Sequence, residues 1–123
     1  SLLVPQTGKA REQAQRAVCL ASDAGERGYE AWTRKLLGDV MQEEPSNPSE
    51  ALNHYLASMA LAKELAMRPP QAHIHLSLGR LYRRENQIEK ARTELSLALK
   101  SYRSMEMPIW IAVAEQELGT LVH

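Results

Sequence analysis

The chain has 123 residues, with no phenylalanine, one cysteine, and only nine valines and isoleucines between them. Strands draw on β-branched and aromatic side chains, so this scarcity argues against a sheet. Leucine (17) and alanine (16) dominate instead, and both are strong helix formers. A single cysteine excludes a disulfide framework and a cysteine-built zinc site. Basic and acidic residues number 15 each, which leaves no net charge. A dedicated duplex-DNA binder carries a basic excess, because phosphate neutralisation supplies much of its affinity. That class is excluded. Uncharged apolar runs fall short of the ~18 residues of a membrane span. The opening Ser1-Leu2-Leu3-Val4 lacks a basic stretch and is interrupted by Pro5, unlike a secretory signal. The expectation is an all-α cytoplasmic protein that binds neither nucleic acid nor membrane.

What is present is a repeat. Three segments align without gaps: Ala31 to Gly38, Ala72 to Gly79 and Ala112 to Gly119, each ending in Leu-Gly. A second series interleaves with the first, through Ala10, Ala51 and Ala91. Four residues after each of these stand Ala14, Tyr55 and Leu95, and seven after, Ala17, Ser58 and Ala98. Two series with one period mean a tandem unit of two helices. Apolar residues within each half recur at helical spacing, as in Ile88, Ala91, Leu95, Ala98, Leu99 and Tyr102. Asn47-Pro48-Ser49-Glu50 reads as a helix start, with an N-cap, a first-turn proline and a glutamate that reaches back. The pattern predicts helices over 9–24, 29–42, 48–66, 69–84, 88–104 and 108–122. Gly38 and Gly79, crossing Ala51 and Ala91, would let paired backbones approach closely. One such pair cannot bury its apolar face alone, so pairs stack along a continuous core.

Leu78-Gly79-x-x-Tyr82, Ala91-x-x-x-Leu95 and Ala98 resemble the tetratricopeptide repeat signature. Leu37-Gly38-x-x-Met41, Ala51-x-x-x-Tyr55 and Ser58 look like a diverged copy. The resemblance implies a right-handed α-solenoid with units of about 1–28 (partial), 29–68, 69–107 and 108–123 (partial). The stretch Leu61 to Pro69, followed by Ala72-His73 and Leu78 to Arg84, is similar to the long-period arrays at the carboxyl end of large bacterial signalling proteins, such as cyclase- or regulator-linked ATPases. On that likeness the chain is a non-catalytic segment of a larger protein.

Candidate chemistry is sparse. His73 and His75, two residues apart on a helix, point in nearly opposite directions and cannot share a metal. His54 and His123 stand alone, Cys19 has no His or Asp neighbour in sequence to mark a nucleophile, and Gly8-Lys9 lacks the strand and spacing of a phosphate loop. Neither catalysis nor a cofactor is expected. The resemblance instead implies a concave groove lined by first-type helices, through Trp32, Lys35, Asp39, Gln42 and Glu43, then His73, Leu76, Arg80, Arg83 and Arg84, then Val113, Gln116 and Thr120. Arg80, Arg83 and Arg84 could fork onto a partner's carboxylates or phosphates, or pair with Asp39, Glu43 and Glu44 of the adjacent unit. Trp32 reads equally as a groove anchor or as a lid on the preceding helix.

The ends suggest a second role. Ile109, Ile111 and Val113 point away from Leu118 and Leu121 on a helical projection, so the last helix has apolar surface to spare. Leu2, Leu3 and Val4 look like the stump of a lost first-type helix. The primary expectation is a scaffold for a partner protein or peptide; the alternative is homodimerisation through the solenoid ends.

Overall fold

A computed structural model describes residues 3–44 and 47–121, with side chains from Gly8 onward. Six helices follow one another: α1 (Leu3–Ala24), α2 (Arg27–Gln42), α3 (Pro48–Glu64), α4 (Arg68–Arg84), α5 (Ile88–Ser104) and α6 (Pro108–Gly119). The described residues contain no strand. The chain divides into two compact units, Ser1–Ala66 and Met67–His123. The first holds α1 to α3 and the second α4 to α6.

Helix starts follow the chemistry of the sequence. Asn47 caps α3 by accepting the backbone N–H of Glu50 at 3.4 Å, and its side-chain amide also donates to the Glu50 carboxylate. Prolines stand in the first turns of α3, α4 and α6, where their missing N–H costs no helical bond. Pro5 likewise falls in the first turn of α1, which begins at Leu3 rather than near residue 9. Leu3 and Val4 are therefore part of α1 and not a remnant of another helix; Leu2 lies outside the described residues. At the other end α6 stops at Gly119, and Val122 and His123 lie outside the described residues.

The turns carry the period into the backbone. Gly25, Ala66 and Glu106 all adopt left-handed φ, of 72°, 55° and 53°, at spacings of 41 and 40 residues. After Gly25 and Glu106 the next N–H returns to the carbonyl five residues back, Glu26 to Ala21 and Met107 to Tyr102, closing the preceding helix. Gly25 accepts this conformation without strain, whereas Ala66 and Glu106 press a Cβ against the backbone.

Within each unit one crossing is built from the same parts. A Cβ added to Gly38 would meet the Tyr55 ring at 2.7 Å, and one added to Gly79 would meet Leu95 Cγ and Cδ2 at 2.6 Å. The glycines thus make room for the residue four after each alanine. Ala51 and Ala91 are fully buried beside the crossing but are not its closest contact. Ser58 fits the same crossing by donating its hydroxyl to the carbonyl of Ala31 at 2.5 Å. In the second unit Ala72, Leu76, Ala91, Leu95, Ala98 and Tyr102 join Ala114 and Leu121 in one core. The first unit buries Ala14, Val18, Ala21, Leu37, Met41, Tyr55, Met59 and Ala62.

Candidate functional site

The residues expected to line a groove fall into three groups. The first is spent on the fold. Leu76 is 2% exposed within the second core, so it cannot line a surface; the buried stripe of α4 runs directly through it. Gln42 is buried and donates to the Tyr55 hydroxyl at 2.8 Å, while Tyr55 donates to Asp39 at 2.5 Å. Asp39 also holds Lys35 Nζ at 2.6 Å. Asp39 and Gln42 therefore satisfy a phenol that the matching Leu95 of the second unit does not have.

The second group joins α6 to α4. Arg80 grips Glu117 with a forked contact, Nε to Oε1 at 2.9 Å and to Oε2 at 2.7 Å, and Nη2 reaches Oε2 as well. Arg83 donates to the Thr120 hydroxyl at 3.0 Å. His73 lies edge-on to Trp110, with centroids 4.6 Å apart, and bonds Tyr102 through Nδ1 at 2.7 Å. Tyr102 in turn stacks on Trp110 at 5.9 Å. Burial raises the Tyr102 hydroxyl far above its ordinary value, with Glu117 adding and Arg80 opposing. The phenol stays protonated and able to donate to Nδ1. His75 faces Glu94 at 2.7 Å. Arg80 is engaged by Glu117 of α6, and Glu44 is engaged by Arg11 of α1 at 2.7 Å.

The third group remains on the surface. Arg84, Gln116 and Glu43 are exposed, and Trp32 is 39% exposed. Beside Trp32 stand two residues that the groove positions missed: Tyr29, 60% exposed, and Leu36, 52% exposed. Residues 29, 32 and 36 lie on one side of α2, so they form an apolar stripe on a first-type helix. Helical spacing alone could have found it, but not its exposure, because the equivalent residues of α4, Pro70 and Ser77, are buried.

On α6 the self-association residues separate. Ile109 is 75% exposed, whereas Ile111 and Val113 are half-buried against the second core beside Leu118. A helical projection puts Ile111 and Val113 on a free side; in the structure both pack in part against the second core.

Among the described residues no group of three His, Cys, Asp or Glu side chains is placed to hold a metal, and no helix is long and apolar enough to cross a membrane. Cys19 is exposed. A hollow of about 400 Å³ lined by Arg103, Glu106, Pro108 and Ile111 opens broadly to solvent. No protein-family model matches this chain, and no curated protein matches it.

Proposed function

We propose that the chain is a non-catalytic interaction scaffold of the tetratricopeptide type, a right-handed solenoid segment that takes a helix of a protein partner. The observation that carries this reading is the exposed stripe of Tyr29, Trp32 and Leu36 on α2. Its counterparts on α6, Trp110 and Glu117, rest on the preceding first-type helix through His73 and Arg80. A face used once to seat a helix is thus repeated on α2 with apolar side chains. Helix-in-groove recognition uses anchors at this i, i+3, i+7 spacing. Trp32 and Tyr29 supply rigid contact area of the kind that dominates binding energy.

The same register accounts for the arginines. Arg80 and Arg83 hold α6, so they position the array and do not face a ligand. A role in a larger signalling protein follows from the resemblance of the long-period units. The test is direct. Leu36→Glu, at a half-exposed position, should abolish capture of the partner while circular dichroism stays unchanged. Equal capture by that variant would remove the α2 face from consideration. Loss of capture by Arg84→Glu alone would return the binding site to the arginine cluster.

A further inference from the structure

One position of the repeat carries a histidine in both units, but on opposite members of the helix pair. It lies three residues after the alanine of each helix: Arg34 and His54 in the first unit, His75 and Glu94 in the second. In the second unit the histidine of α4 meets a carboxylate of α5. His75 Nδ1 lies 2.7 Å from Glu94 Oε1, and both side chains are half-buried. In the first unit the histidine of α3 meets a base instead, and the charge of Arg34 on α2 bears on the His54 ring.

The surroundings of His54 sharpen that contrast. Arg11 acts on it from α1 as Arg34 does from α2. The carboxylates of this corner are already held. Arg11 binds Glu44 at 2.7 Å and Glu50 at 2.9 Å, and Arg34 binds Glu30 at 2.7 Å. Glu50, one turn before His54 on α3, favours a proton on the ring. Burial and then Arg34 outweigh it and hold the imidazole below its ordinary 6.5. A proton on His54 thus makes a third cation beside two guanidiniums in a half-buried place.

A proton on His75 has a different result. A carboxylate only accepts, so Nδ1 carries hydrogen in this contact. Protonation of Nε2 then turns a hydrogen bond into an ion pair without moving either side chain. Tyr82 and Lys90 complete this group: burial and then Glu94 raise the phenol, and the Lys90 ammonium lies 5.6 Å from the centre of its ring. His73 bonds the Tyr102 hydroxyl, which can donate to a neutral ring or accept from a charged one.

We propose that this reversed placement makes the repeat a pH-sensitive device, in which mild acid loosens the α2–α3 pairing and leaves the α4–α5 pairing intact. Unfolded His54 takes up a proton near 6.5, and folded His54 only below that value. The first unit therefore loses stability as the pH falls through 6.5. The contact of His75 survives its protonation, so the second unit gives up nothing there. The unit that loosens is the one that carries the exposed stripe of α2.

Hydrogen exchange of the full chain at about pH 8 and about pH 5.5, corrected for the intrinsic pH dependence of amide exchange, reads the two pairings separately. Protection of residues 31–38 and 51–58 should fall several-fold on acidification, while that of 72–79 and 91–98 should not. His54→Gln should abolish the fall. Glu94→Gln should confer acid sensitivity on the second unit, because His75 would then be charged with no carboxylate beside it. Each variant is compared with itself at the two pH values, so a general loss of stability cannot imitate the effect. Equal losses in both pairings of the parent chain, or no loss in the first, overturn the proposal. So does a fall that persists in His54→Gln, or a Glu94→Gln chain whose second unit stays indifferent to acid.

Discussion

Gly79 and Gly119 occupy the same position of their helices, yet their surroundings make them opposite kinds of residue. Gly79→Leu must displace Leu95, whose atoms lie 2.6 Å from the new Cβ, and should cost ~1–3 kcal/mol or more in a urea melt. Gly119→Ala meets open space on a helix and should stabilise by up to ~1 kcal/mol. Equal responses would mean that the two crossings do not share one register. His54 supplies a pH dependence. Burial and then Arg34 push its pKa below 6.5, with Arg11 adding and Glu50 opposing. The unfolded chain therefore takes up the proton first. Stability should be complete above pH 6.5 and fall as the solution is acidified through that value. In His54→Gln the loss over that interval should shrink. A chemical-denaturation series at several pH values measures both slopes.

At the scale of elements, the turns are where the repeat is least comfortable. Ala66 and Glu106 hold the left-handed conformation that Gly25 holds freely at the equivalent place. Ala66→Gly and Glu106→Gly should each raise stability by ~1 kcal/mol, because the relieved strain exceeds the added chain entropy. A drop in melting temperature for both would contradict the turn geometry. The attachment of α6 combines apolar packing against the second core with a polar clamp on α4. Arg80→Ala removes the fork onto Glu117 and should cost about 1 kcal/mol, with hydrogen exchange rising in α6 before α4 and α5. Helix positions and the glycine crossings were legible in the sequence, since apolar spacing, prolines and Asn47 mark them. The pairing of Arg80 with Glu117 was not. Thirty-seven residues separate the two, and two half-buried charged side chains carry no periodic signal.

The chain divides into two compact units. The second has its own closed set of buried residues from α4, α5 and α6. A peptide of residues 67–123 should accordingly retain helicity and melt cooperatively, as local contacts in repeat arrays allow. A non-cooperative melt would show that the first unit is needed to complete that core. The candidate surface was partly legible at this scale. Of two expected groove positions, Trp32 is partly exposed and Leu76 is buried. The family-derived pattern fixes which side of a helix a residue occupies; how far the neighbouring helix wraps round that side decides exposure.

Composition and spacing alone determined the all-helical class, the alternation of two helix types and the small residues at their crossings. These depend on local propensity and on one face per helix, both written in consecutive residues. Only the tertiary structure decided which polar side chains are consumed inside the fold and which faces are left open. Tyr55 draws in Asp39 and Gln42, Trp110 draws in His73 and Tyr102, and Arg80 closes on Glu117. Each of these partnerships spans separate helices, where distance along the chain carries no information about distance in space. The open faces at Ala112, Gly119 and the α2 stripe have the same origin: a residue is exposed or buried according to what lies opposite it, and that is a property of the assembled helices.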